Sequence, residues 1–96
     1  MNKYLVTILF EWTDEMNELL SEHQTFINTL IEDLVVEHYA VSMEVQTAWV
    51  TINANTKEDV EAILSVSPFY KFWTLEIREL IVWDGLSYRL PALQLN

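Results

Sequence analysis

Between Met16 and Leu34, apolar residues recur at three- and four-residue steps: Met16, Leu19, Leu20, Phe26, Ile27, Leu30, Ile31 and Leu34, with His23 on the same stripe. On either side the apolar repeat shortens to two. A helix brings one stripe round about every 3.6 residues, whereas a strand sends neighbours to opposite faces. The chain therefore places one amphipathic helix of about five turns between strands. Its other side carries Glu15, Glu18, Glu22, Asn28 and Glu32, a solvated face. Thr13 or Asp14 supplies an oxygen to cap its first amides.

Residues 3–12, "KYLVTILFEW", form the first expected strand, with Tyr4, Val6, Ile8 and Phe10 on one face and Leu5 and Leu9 on the other. Residues 35–45 and 47–54 are two more, rich in β-branched and aromatic residues. The turn between them, near Glu44–Gln46, contains no Gly, Asn or Pro. A short helix over 57–65 follows, capped by Asn55 with Glu58 or by Thr56 with Asp59. Pro68 stops it. A fourth strand spans 72–83, and the single glycine, Gly85, marks a turn. The order β-α-β-β-α-β predicts an α+β, ferredoxin-like fold: a four-stranded antiparallel sheet with both helices on one face. One domain is expected over 1–84.

Helices on one side leave the second sheet face bare. The first strand is apolar on both sides, the third sets Trp49 against Ala48, Val50 and Ile52, and the chain is 51% hydrophobic. A large exposed apolar patch is a liability in a soluble monomer. Two sheets packed face to face as a homodimer, a barrel shared by two chains, would cover it. Residues 85–96, rich in leucine, are expected to form an arm on a partner subunit.

Fifteen acidic residues against five basic ones give a net charge of −10, a field that repels phosphate backbones and anionic lipid. No nucleic-acid or membrane partner is expected. No segment approaches the ~20 apolar residues of a spanning helix, and the first residues lack a secretory pattern. The chain contains no cysteine, which excludes disulfides and thiolate chemistry and fits a cytoplasmic location. Neither histidine has a ligand partner at metal-binding spacing, so no metal or other cofactor is expected. A single glycine rules out a glycine-rich phosphate loop.

Three stretches, "HQTFINTLIED" (23–33), "WVTINANTKEDVEAILSVSPF" (49–69) and "SPFYKFWTLEIREL" (67–80), resemble the dimeric α+β-barrel superfamily, in particular its muconolactone isomerase-like and YciI-like families. The resemblance spans roughly residues 3–84. It implies a homodimer or larger ring and a cofactor-free isomerase that shifts a proton on a small organic acid or lactone. It also implies an aspartate before the turn proline, beside the first-helix histidine; Ser67 stands there instead. His23 is the candidate general acid or base, since an imidazole titrates near neutrality. The alternative is a histidine at the helix–sheet edge that does no chemistry. His38, between Glu37 and Tyr39, reads as a surface imidazole. Tyr4, Tyr39, Trp49 and Trp73 are candidates to line a barrel cavity and bind a ligand. Of the rings after Pro68, Phe69 and Phe72 read as plugs, with Tyr70 and Trp73 on a pocket rim. Two other functions suit the same scaffold: a non-catalytic ligand-binding or assembly module, and a cofactor-independent monooxygenase.

Light scattering is expected to give the intact chain the mass of a dimer or larger assembly. Removing residues 86–96 is expected to weaken that assembly; an unchanged mass after truncation would contradict a role for the arm.

Overall fold

The structure, a computed structural model, describes residues 1–86. Strands β1 (Asn2–Leu9), β2 (Val36–Ser42), β3 (Thr47–Ala54) and β4 (Thr74–Leu80) make one sheet in the order β2-β3-β1-β4, and every pair is antiparallel. Helix α1 (Asp14–Glu32) joins β1 to β2, and α2 (Lys57–Leu64) joins β3 to β4. This is the ferredoxin-like order expected from the period changes. The proposed arm, apart from Gly85 and Leu86, lies outside the described residues.

Register explains which side chains form the core. Tyr4, Val6 and Ile8 of β1 stand opposite Ile52, Val50 and Ala48 of β3, and all six are buried on the helix-covered face. Val60 and Leu64 of α2 join them, with Leu30 of α1 and Leu75 and Ile77 of β4 packed at the margin. Thr13 caps α1, its Oγ1 accepting the Met16 N–H at 3.1 Å. Thr56 caps α2 in the same way through the Asp59 N–H, also at 3.1 Å. Each cap satisfies an amide that the helix itself leaves unpaired.

Several boundaries differ from the sequence expectation. β1 ends at Leu9 rather than residue 12 because Gln46 takes over its amides: the Gln46 carbonyl accepts Phe10 N–H at 3.2 Å and Oε1 accepts Trp12 N–H at 2.6 Å. α1 stops at Glu32, and Leu34 takes a left-handed conformation (φ 62°) that no helix can continue through. β2 is shorter at both ends than 35–45, since residues 43–46 form the turn to β3. β4 begins at Thr74, not residue 72, because Tyr70–Phe72 wind into a 3₁₀ turn first, and it ends at Leu80 rather than 83.

β2 also carries a bulge. Its register slips between Val36, opposite Ile52, and His38, opposite Thr51. The extra residue, Glu37, interrupts the alternation, so Val36 and Tyr39 can both face the core. Glu37 instead pairs with Lys3 and accepts from Asn53 Nδ2 at 2.8 Å. Lys3 is only 3% exposed, with Asn53 Oδ1 at 2.8 Å and the Trp83 ring centroid 5.0 Å from its ammonium.

The helix-free face is mixed rather than uniformly apolar. Leu5, Leu9, Trp49 and Leu80 alternate there with Thr7, Thr51, Glu76 and Arg78. The charged pair among them, Glu76 and Arg78, comes from β4, whose apolar side chains Leu75 and Ile77 turn toward the helices.

Leu34 is 76% exposed at its positive φ, so the left-handed backbone there is not offset by burial of the side chain. Left-handed geometry costs an L-residue roughly 1–2 kcal/mol, of which glycine's extra chain entropy returns part. Leu34→Gly is expected to stabilise the fold by about 0.5–1 kcal/mol in urea titrations. A destabilised variant would show that the leucine side chain contributes more than the backbone strain costs.

Candidate functional site

His23 faces inward from α1 because it lies on the helix's apolar stripe, four residues before Ile27 and seven after Met16. It is 2% exposed, and both ring nitrogens have partners. Nδ1 lies 2.9 Å from the Ser67 hydroxyl and Nε2 lies 3.0 Å from the Tyr39 hydroxyl. Phe69 stacks on the imidazole at 4.3 Å and 18°, while Trp73 meets it edge-on at 5.5 Å.

These partners arrive from three places. Tyr39 faces the helix because of the β2 bulge. Ser67 and Phe69 sit in the turn after α2. Pro68 between them has no N–H to continue a helix, and the turn is closed by bonds from Ser67 N–H to the Leu64 carbonyl (3.0 Å) and from Tyr70 N–H to the Ser67 carbonyl (3.1 Å). Ser67 Oγ also accepts the Phe69 N–H at 3.0 Å, which holds the phenyl ring against the imidazole.

Beside this group a cavity of about 690 Å³ separates α1 from the sheet. Met16, Leu20, Ile27 and Ile31 of α1 form one wall, and Tyr39, Val41 and Ala48 of the sheet form the other. Phe10, Trp12, Phe69 and Trp73 close it with rings; Trp12 meets Phe69 edge-on at 5.8 Å. The exposed lining residues Gln24, Asn28, Val41 and Met43 mark the mouth, between α1 and the edge strand β2. Among the described residues, no Asp, Glu, Lys or Arg lines it.

Burial without a charged neighbour lowers the His23 pKa from 6.5 to about 4. The imidazole is therefore neutral at neutral pH. Burial also raises the Tyr39 pKa, so its hydroxyl stays protonated. The polar group of this site is thus a chain of neutral hydrogen bonds, suited to holding a ligand and to relaying a proton between hydroxyls. An imidazole with this pKa is a weak base at pH 7.

Of the residues singled out in the sequence, His23, Tyr39 and Trp73 meet here. Tyr4 does not: it is buried in the core, with its hydroxyl 3.3 Å from the Asn55 carbonyl. Trp49 points to the helix-free face, 38% exposed, on the opposite side of the sheet from the cavity. His38 is exposed on that same face. Tyr70 turns outward and donates to Glu61 at 2.9 Å, whereas Phe69 is buried as expected. The described cations lie elsewhere: Lys57 opens α2, and Lys3, Lys71 and Arg78 pair with Glu37, Glu15 and Glu76. Ser67, which read as a missing carboxylate, is instead the hydroxyl partner of His23. Trp12 escaped notice altogether, although an aromatic directly before the capping Thr13 was a usable signal.

No known protein-family model matches the chain, and neither does any curated protein. Among the described residues no helix is long and apolar enough to cross a membrane, and no group of three or more metal-ligating side chains is assembled.

The histidine gives a pH signature. The unfolded chain takes up this proton near 6.5 and the folded chain only near 4, so acid favours unfolding. The stabilising contribution of neutral His23 is complete above about 6.5 and is lost progressively as pH falls toward 4. A tenfold change in proton affinity is worth about 1.4 kcal/mol, so the loss reaches up to about 3 kcal/mol. Urea unfolding of the wild type between pH 7.5 and 4 is expected to fall relative to His23→Gln, whose side chain does not titrate. Parallel profiles would show that the buried imidazole is not the group being charged.

Proposed function

We propose that this protein binds a small, predominantly apolar molecule between α1 and the sheet, with the Tyr39 hydroxyl as its polar anchor. The observation that carries this reading is the combination of a cavity of about 690 Å³ with a lining of rings and aliphatic chains and one hydrogen-bonded polar chain at its wall. Small-molecule sites are typically ~300–1,000 Å³, mostly apolar, with few polar groups to set orientation. The absence of charge among the described lining residues favours an uncharged ligand, since an ion would lose its hydration without gaining a counter-charge from them.

A proton-shifting isomerase of the muconolactone isomerase-like kind is the second reading. One observation favours it: His23 bridges two hydroxyls, so a proton can enter one ring nitrogen as another leaves the opposite one. The lowered histidine pKa ranks it second, because removing a proton from carbon needs a stronger base. Assembly as a homodimer belongs to the same resemblance. Exposed Leu9 and Trp49, with Ala40 opposite Trp49, support it as apolar surface on the helix-free face.

Ethylnaphthalene, which is planar, apolar and uncharged, is a suitable probe. It is expected to perturb the NMR resonances of His23, Tyr39 and Met16 in slow or intermediate exchange. Leu20→Trp, which adds bulk to the half-buried cavity wall, is expected to weaken binding at least tenfold. Perturbations confined to other surfaces, or unchanged affinity in the variant, would overturn the reading.

A further inference from the structure

Hydrogen-bond direction within the polar chain narrows the ligand class, and this rests on the cavity being the binding site. Ser67 Oγ already accepts the Phe69 N–H at 3.0 Å, and the residue is 5% exposed. Its own proton therefore needs an acceptor inside the protein. Among the described residues the remaining partner is His23 Nδ1, 2.9 Å away.

Two tautomers of neutral His23 satisfy that distance, but they differ in what they leave behind. If Nδ1 carried the proton, Ser67 Oγ would accept twice and its hydroxyl hydrogen would be buried without a partner. Leaving a buried donor unpaired carries its full desolvation penalty. If Nε2 carries the proton, Ser67 donates to Nδ1 and every group is used. Nε2–H then donates to Tyr39 Oη at 3.0 Å. Tyr39 Oη becomes an acceptor toward the protein, and its own hydrogen is left for the cavity that the ring lines.

The sequence of donors runs one way: Phe69 N–H to Ser67, Ser67 O–H to His23, His23 N–H to Tyr39, Tyr39 O–H to the cavity. Aligned bonds polarise one another, which strengthens the last donor of the series. We infer that the cavity selects an uncharged aromatic molecule bearing a hydrogen-bond acceptor, such as an aryl ketone, ester or amide carbonyl, which receives the Tyr39 hydroxyl proton. The lack of charge among the described lining residues and the protonated state of Tyr39 agree with this. Ser67 is then a positioning residue, since it fixes the tautomer without touching the ligand. The same logic explains why a hydroxyl suffices where the family resemblance implies a carboxylate: an aspartate there would draw the proton to Nδ1 and reverse the chain.

Two measurements test this. Long-range ¹H–¹⁵N correlation spectra of the unmodified protein at neutral pH are expected to give His23 a proton-free, pyridine-type Nδ1 and a protonated Nε2; the opposite assignment overturns the direction. Acetonaphthone and ethylnaphthalene share size and ring system and differ in one carbonyl. Acetonaphthone is expected to bind about threefold to tenfold more tightly, the range of one neutral hydrogen bond. Tyr39→Phe is expected to erase that preference, so that the two probes bind the variant equally. Equal binding of both probes to the wild type would overturn the carbonyl preference and leave the cavity reading intact. Failure of both probes to perturb cavity resonances would overturn the cavity reading and the ligand class together.

Discussion

Three segments remote in sequence converge on one uncharged imidazole. His23 from α1, Tyr39 from β2 and Ser67 from the turn after α2 are joined by hydrogen bonds of 2.9 and 3.0 Å. A buried polar network is favourable only when every member is satisfied, and a half-satisfied one is worse than hydrocarbon. Among the described residues, no buried side-chain nitrogen or oxygen lacks a partner. Cavity geometry follows from this. The imidazole sets the separation of α1 from β2, and the rings of Phe69 and Trp73 are ordered against it.

The long-range order of the fold was legible because it depends on periods and punctuation. The apolar stripe of α1, the capping threonines Thr13 and Thr56 and the helix-stopping Pro68 each act locally, and each is readable without knowing the partner. Parts of the site were readable for the same reason: His23 on an apolar stripe and an aromatic cluster after a proline are both local words. The rest depends on register. Tyr4 and Trp49 were plausible as ring residues, but whether a strand residue meets a cavity depends on its face and on its position along the strand. Ser67 was visible and misjudged, because a hydroxyl that orients a neutral imidazole does the opposite electrostatic job from a carboxylate.

Glycine scarcity has a structural counterpart. With one glycine in the chain, left-handed turns among the described residues fall to Leu34 and Gln46, at φ 62° and 47°. Gln46 offsets its backbone strain by accepting amides from both Phe10 and Trp12. Those bonds anchor the stretch that carries two rings of the cavity. Strain at this turn is thus tied to the shape of the binding space, a common arrangement where backbone is held out of its preferred basin.

The bulge at Glu37 carries a consequence for how such a chain can vary. Side chains of a regular strand change faces with each residue, and Tyr39 and Val41 keep to the cavity face because the bulge absorbs the surplus Glu37 before them. Lining chemistry can drift by substitution, one methyl or ring at a time, and leave the pocket in place. Loss of Glu37 would leave Val36, His38 and Tyr39 in regular alternation with the phenol still inward. Straightening the strand with Glu37 retained would instead turn His38 and Ala40 inward and carry the phenol to the far side of the sheet. The pairing of Tyr39 with Val50, rather than the count of residues before it, is therefore the inherited quantity that descendants of this chain are least free to alter.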